Sequence, residues 1–305
     1  MNPLVKITPK ISIGLPVYNG EYYLKKRIDS ILNQTYENFE LIISDNASTD
    51  NTRKICENYV KQDSRIQYIH HKKNNGQIDN FKFLLDNTKE KYFVWAAHDD
   101  LWDDTFLLKN IDILESNPSI IGSISEIDFF GNHANRYNSK STKTFKPGYI
   151  RSISGNYFDR VKTAFSTSDT IIYGVYRTDV VRKSFPEKQY WCDGLVFMLN
   201  ILKFGNFNLY DEILMHRSAD GVSSLNRITA LKRVGFTNMD IIFMYLPLMK
   251  YSLKHFGLKF IIFNFSIYCK VFYIGYGRII LDIFRRIKII NYIIYYISDY
   301  IPSIN

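Results

Sequence analysis

Neither a G-x-G-x-x-G run nor a Walker-type G-x-x-x-x-G-K-[ST] run occurs in the 305 residues. That excludes the two commonest phosphate-cradling loops, and with them a nicotinamide dehydrogenase and a P-loop NTPase. Cysteine is scarce: Cys56, Cys192 and Cys269 stand far apart and form no metal knuckle or redox pair. Reduced, cytosolic thiols are the expectation. Residues Met1 to Lys10 carry no apolar signal core, so no secretory peptide is expected and the folded part should face the cytoplasm. No solenoid-type repeat is present. Acidic residues are in deficit, 30 against 39 Lys and Arg, for a net charge of +9. That balance suits phosphate-bearing partners: nucleotides, nucleic acid or anionic lipid.

What is present is an alternation of strand and helix signals. Residues 11–18 read as a buried strand and turn, and Glu21 to Asn33 as an amphipathic helix. Phe39 to Ser44 is a second strand. Ser48-Thr49-Asp50 supplies a cap for a helix from Thr52 to Val60. Ile66 to Ile69, the apolar run 92–97 and Ile120 to Phe129 are further strands. Helices are expected over 79–87, from Asp103 to Asn117, over 156–164 and over 193–204, and a strand over 170–176. A strand-helix period of about thirty residues argues for βαβ units and a mostly parallel sheet with right-handed crossovers. Residues 131–152 are polar and read as a loop over one end of the sheet, either a lid or an ordinary solvated loop.

The tripeptide His98-Asp99-Asp100 follows the apolar run Tyr92 to Ala97. Two adjacent carboxylates at the end of a buried strand repel each other and lose water, a cost that a divalent cation or a polyhydroxyl ligand would offset. Ligands of open α/β sheets sit outside the carboxyl ends of strands. The same three residues also read as an acidic helix start. Asp45, ending the second strand, suits either a base N–H or sugar hydroxyl, or an Asx-turn. Tyr18 suits either stacking on a base or plain packing.

Together these segments resemble the inverting family 2 glycosyltransferases of the GT-A fold, over residues 10–220. The carriers are Ile13-Gly14-Leu15-Pro16-Val17-Tyr18-Asn19-Gly20, Glu40 to Asp50, Asn75-Gly76 with Asn80, and His98-Asp99-Asp100 in the place of the "DXD" motif. The resemblance implies a Rossmann-like, mostly parallel α/β sheet flanked by helices, with residues 1–225 as the nucleotide-sugar-binding and catalytic domain. Residues 226–305 would be a helical extension. The implied reaction moves a sugar from a nucleoside diphosphate donor, a UDP-sugar in first place, to an acceptor hydroxyl, inverting the anomeric carbon. Pro16, Tyr18, Glu21, Asp45, Asn80, Asp99 and Arg217 would bind the donor. Asp100 would ligate Mn²⁺ or Mg²⁺, with His98 and His216 as further candidates. Asp193 would be the general base, or in the plainer reading a helix cap. The chain departs from the family pattern at His98, where Asp is usual, at Cys192, where an acid often precedes the base, and at Ala219, where a His often follows the late Arg.

The tail is distinctive. Residues 241–305 hold eight basic against two acidic residues, +6 of the total +9. Phe260 to Gly277 is apolar except for Lys270, barely long enough to span a bilayer. Amphipathic helices lying on an anionic membrane surface fit better, with aromatics inserted and lysines at the headgroups; a helical subdomain packed on the core is the alternative. A protein peripheral on the cytoplasmic face would act on a lipid-linked, envelope or glycoprotein glycan. Rival functions are a binding or scaffold protein that keeps the fold without catalysis, and a nucleic-acid binder. The last is disfavoured, since no recognisable module is present and the basic residues are diluted by apolar stretches.

Overall fold

The computed structural model describes residues 10–132, 134, 151–165, 169–186, 193–220, 227–233 and 236–286. The expected lid at 131–152 lies almost entirely outside the described residues, as do residues 190–192 ahead of Asp193. The chain divides into two compact units, one ending at Ser218 and one beginning at Ala219.

The first unit is built on an eight-stranded sheet. Its strands are β1 (Ile11–Val17), β2 (Phe39–Asp45), β3 (Ile66–His70), β4 (Tyr92–Trp95), β5 (Leu101–Trp102), β6 (Ile120–Phe130), β7 (Val175–Arg177) and β8 (Asn206–Ser218). They are ordered β3-β2-β1-β4-β7-β6-β8-β5. β1, β2, β3 and β4 are mutually parallel, as are β6 and β8; β7 and β5 pair antiparallel with their neighbours. Every residue of β1 and of β4 is buried, as expected of parallel strands covered on both faces. Chain order runs outward from β1 through β2 to β3, then returns to β4 on β1's other side. The carboxyl ends of β1 and β4 therefore form a topological switch point, the crevice where open α/β sheets bind ligands.

The helices follow from apolar spacing. In α1 (Glu21–Leu32) the buried residues are Leu24, Arg27, Ile28 and Ile31, one face of a 3.6-residue period that includes an arginine. α2 (Thr52–Gln62), α3 (Gln77–Asp86) and α4 (Phe106–Ser116) complete the βαβ succession. Trp95 anchors the core, with the rings of Phe93, Phe185, Phe81 and Phe197 at 4.8 to 5.8 Å and its indole N–H donating to the Phe81 carbonyl at 3.1 Å. α5 (Tyr157–Ala164) starts on an Asn156 cap whose side chain accepts from Phe158 N and Asp159 N. The strand expected over 170–176 is instead a 3₁₀ turn, Asp169–Tyr173, and the three-residue β7. β7 is wedged antiparallel between β4 and β6, so only two of its residues pair with each neighbour. α6 (Thr178–Ser184) and α7 (Asp193–Ile201) follow.

The second unit is helical: α8 (Arg227–Arg233), α9 (Asn238–Ile242), α10 (Leu246–Phe263) and α11 (Phe265–Arg286). Thr237 and Asp240 form a reciprocal capping box at the start of α9. α10 is kinked at Gly257, whose φ of +77° is open to glycine at little cost. Tyr245 packs on Phe272 at 4.6 Å and donates to the Val271 carbonyl. Among the described residues no helix is long and apolar enough to cross a membrane.

Candidate active site at the carboxyl ends of β1, β2 and β4

The turn after β1 is held by the turn after β2. Asn19 N donates to Ser48 Oγ (2.8 Å), and Asn19 Oδ1 accepts from Thr49 N (2.8 Å). Gly20 N donates to Thr52 Oγ1 (2.9 Å). Glu21 N donates to Asp50 Oδ2 (3.1 Å), while Glu21 Oε2 accepts from Asn51 N and Nδ2 (3.0 and 2.8 Å). Asp50 Oδ1 takes the Thr52 N–H, so one carboxylate serves the starts of both α1 and α2. Asn19 and Ala47 adopt positive φ, 52° and 64°, unusual for residues with a Cβ. Strain of this kind persists where surroundings over-determine it, as this clasp does. Glu21 is thus spent on holding the turn, Pro16 lies inside buried β1, and Tyr18 stands exposed at the strand end.

Asp45 is wholly buried. Its Oδ1 accepts from Ser48 N at 2.8 Å; its Oδ2 accepts from Tyr68 Oη at 2.7 Å and faces His70 Nδ1 at 3.0 Å. Burial alone would raise its pKa, but these bonds outweigh burial and hold the carboxyl below its ordinary value. Next to it, Asn46 Nδ2 donates to Asn74 Oδ1 and to the Gly76 carbonyl, and Asn46 Oδ1 accepts from Asn75 N. The Asn74-Asn75-Gly76 turn is pinned by this one amide. Asn80 is buried and bonded to Ser44, accepting from Oγ at 2.5 Å and donating to the carbonyl at 3.0 Å. Its place is under the β2 end rather than in the open crevice.

Beyond β4, the His98 ring lies over the β1 turn: a Cβ added at Gly20 would meet its Cδ2 at 3.1 Å. Asp99 is partly exposed and has no hydrogen bond or ion pair among the described residues. Asp100 is 1% exposed. β5 pairs antiparallel with β8, Leu101 against His216, which sets Asp100 opposite Arg217. Arg217 Nε donates to Asp100 Oδ2 at 3.2 Å and Ser218 N to Asp100 Oδ1 at 3.1 Å; Arg217 Nη1 donates to Thr170 Oγ1. Behind them Arg27 is wholly buried, its guanidinium 3.9 Å from the Trp102 ring centroid and without a hydrogen-bond partner. Burial pushes Arg27 down to about 9, against the pull of Asp100 and Asp99. Burial likewise raises Asp100, with Asp99 adding repulsion and the two arginines opposing it.

Mn²⁺ or Mg²⁺ arriving with a diphosphate uses only one or two protein carboxylates. Asp99, partly exposed and without a partner among the described residues, meets that need, with Asp100 adjacent but enclosed. No group of three or more His, Cys, Asp or Glu suited to a resident metal occurs among the described residues. The donor set fits a cation carried in with its ligand.

Asp193 is the first residue of α7; its side chain lies outside what the structure describes. His216 is not free: Nδ1 faces Asp128 at 2.6 Å and Nε2 faces Asp103 at 3.0 Å, clasping β8 to β6 and to the start of α4's turn. Burial would lower its pKa, but the two carboxylates prevail and raise it. Sequence reasoning missed Arg27, Tyr68, His70 and the Ser218 amide. For Arg27 a signal existed, a charged residue in phase with Leu24, Ile28 and Ile31. For Tyr68 and His70 none did, since their role depends on β2 and β3 lying in register.

The profile of Glycosyl transferase family 2 matches residues 12–174, more than half of the chain. An uncharacterized glycosyltransferase of Haemophilus influenzae is 38% identical over 121 residues, 39% of this chain and 38% of that protein. One of Rickettsia felis is 37% identical over 114 residues, 37% of this chain and only 18% of the relative. These matches thus span well under two thirds of the relatives' lengths. In fold, the chain is similar to S. aureus TarS 1-349 crystallised with UDP-GlcNAc (TM-score 0.55, 18% identity, 68% of this chain and 58% of that one). It is also similar to mannosyltransferase PcManGT of Pyrobaculum calidifontis, crystallised with GDP-Man and Mn²⁺ (TM-score 0.52, 12% identity, 86% and 74%). The expected GT-A fold, a mostly parallel sheet flanked by helices with C-terminal helices added, is borne out. With its switch-point crevice, its acidic pair after β4 and a profile match over its first four βα units, the chain belongs to Glycosyl transferase family 2.

Proposed function

We propose that the chain transfers a sugar from a nucleoside diphosphate donor to an acceptor hydroxyl, inverting the anomeric carbon. The observation that carries this reading is Asp99, a carboxylate left partly exposed and with no hydrogen bond or ion pair among the described residues, next to His98 whose ring lies over the turn after β1, in a chain of this family. Tyr18 stacks on the base, and Asp99 faces the ribose or diphosphate. Asp99 is the residue that would hold Mn²⁺ or Mg²⁺, with Asp100 enclosed beside it by Arg217 and Ser218; Mn²⁺ accompanies GDP-Man in one structural relative. When bound, it offsets charge on the departing diphosphate. Asp193, at the start of α7, takes the acceptor hydroxyl's proton as that oxygen attacks. Arg217 holds Asp100 and stabilises the strand ends on which the donor rests.

The acceptor belongs with lipid-linked or envelope glycans, and the second unit rests on the cytoplasmic membrane surface. Leu258, Ile262, Phe263 and Phe265 are all more than 60% exposed around the α10–α11 junction. Lys254 and Lys259 are exposed on the same stretch. Inserted apolar side chains with lysines at anionic headgroups are the pattern of an interfacial helix.

Calorimetric titration with UDP, TDP, GDP and CDP, with and without Mn²⁺, tests the donor reading; metal-dependent binding of one nucleotide is expected. Asp193→Asn should keep that affinity and lose transfer by several powers of ten. Nucleotide binding by none of the four in a folded sample, or wild-type turnover in the Asn variant, overturns the donor reading or the base assignment respectively.

A further inference from the structure

Asp45 occupies the place at the end of β2 suited to contacting a base, yet its carboxylate has no exposed surface. Ser48 N–H, Tyr68 O–H and His70 Nδ1 fill three of its roughly four lone-pair positions. Burial pushes the Tyr68 hydroxyl up, and its bond to Asp45 adds to this, so it stays a donor. An ionised carboxylate only accepts, so the proton between it and the imidazole sits on His70 Nδ1. In the neutral ring that leaves Nε2 as a lone pair, on a side chain 31% exposed. His70 is the last residue of β3 and lies level with Asp45, which lies level with Val17, the residue before Tyr18. Neighbouring strands are about 4.8 Å apart, so His70 stands about 10 Å across the sheet end from the strand bearing Tyr18. A base stacked on Tyr18 and hydrogen-bonded at its edge covers such a span.

We propose that His70 reads the base of the donor nucleotide, its Nε2 accepting the ring N–H of uracil, thymine or guanine and rejecting cytosine, whose corresponding ring nitrogen is itself an acceptor. Asp45 is a positioning residue that fixes the imidazole tautomer through Nδ1. Two facing lone pairs repel, and a site built to accept an N–H loses a bond and gains that repulsion when the proton is missing. The inference rests on the nucleotide-donor reading above.

The experiment is calorimetric titration of the full chain with UDP, TDP, GDP and CDP in Mn²⁺, for wild type, His70→Ala and His70→Gln, each checked for a wild-type melting curve. Wild type should bind its best ring-N–H nucleotide at least tenfold more tightly than CDP. His70→Ala should weaken that nucleotide about tenfold and leave CDP within twofold, so the preference collapses. His70→Gln should restore part of it, because an amide oxygen accepts the same N–H. Asp45→Asn should also blunt the preference, and His70→Gln in that background should recover it, since an amide needs no partner to fix its tautomer. An unchanged preference in His70→Ala, or a wild-type preference for CDP, overturns this inference while the donor reading stands. No binding of any nucleotide by folded wild type overturns both.

Discussion

Asp100→Asn is expected to destabilise the first unit by about 3–5 kcal/mol, the usual cost of removing one partner from a buried ion pair. The carboxylate is 1% exposed and accepts from Arg217 Nε at 3.2 Å and Ser218 N at 3.1 Å. An asparagine can offer an oxygen to one of these donors but must turn its NH₂ toward the other. One charge-assisted bond, about 1.5–3 kcal/mol, is lost on that account. The remainder comes from Arg27, a wholly buried guanidinium with no hydrogen bond, whose charge is balanced by Asp100 and Asp99. Arg27→Met alone gives up the stack on Trp102, about 2 kcal/mol for a desolvated cation over an indole. It also removes a cation that is costly to bury, so the net change should stay within about 1 kcal/mol. In the Asp100→Asn background the same change should recover about 2 kcal/mol, because there the cation has lost its counter-charge. Urea unfolding of the four proteins at pH 7 without nucleotide measures the cycle, with equal m-values required. A coupling below about 0.5 kcal/mol would refute the reasoning, and would mean that Arg27 is indifferent to the acidic pair.

The His216 clasp gives a pH dependence of defined sign. Its folded pKa is raised above the ordinary 6.5, so its stabilisation is complete below that value and fades as pH rises through the folded pKa. Melting temperature followed from pH 6 to 9 should show this decline, and His216→Gln should flatten it. Gly20→Ala should lower the melting temperature by several degrees, since the new methyl meets Val17 Cγ2 at 2.5 Å and the His98 ring at 3.1 Å; overpacking of this kind costs about 1–3 kcal/mol. A melting curve equal to wild type would show that the turn yields freely. Flotation with phosphatidylglycerol vesicles, and not with phosphatidylcholine alone, is expected of the chain, and Ile262→Asp with Phe263→Asp should abolish it. Flotation that survives both changes would remove the α10–α11 junction from the membrane reading.

Much of the first unit was legible along the chain because its signals are local. The buried strands 11–17, 39–45 and 92–95 announce themselves as apolar runs, and α2 by the polar turn before it, whose Asp50 accepts the Thr52 N–H although the cap position itself is Asn51. The placing of Asp99 after β4 followed from the same run. Where the reading failed, neighbours distant in sequence decided the outcome. Residues 170–176 carry a strand-like composition, yet space between β4 and β6 leaves room for three strand residues, and the rest coil into a 3₁₀ turn. Bulged pairing with β6 breaks the alternation of β8 over 206–218, so little in the sequence marks that strand.

The sequence by itself determined the order of the elements, the family and the acidic pair at the switch point, since hydrophobic period and adjacent residues suffice for these. Only the tertiary structure decided which carboxylates are open and which are closed. Asp99 and Asp100 are neighbours in the chain, yet strand pairing with β8 encloses one against Arg217 and leaves the other partly exposed. Asp45 reads in sequence as either a ligand or a turn-forming residue, and the register of β2 with β3 makes it the buried partner of Tyr68 and His70. Burial and hydrogen-bond partners are properties of packed neighbours, and they set which of several identical side chains remains available for chemistry.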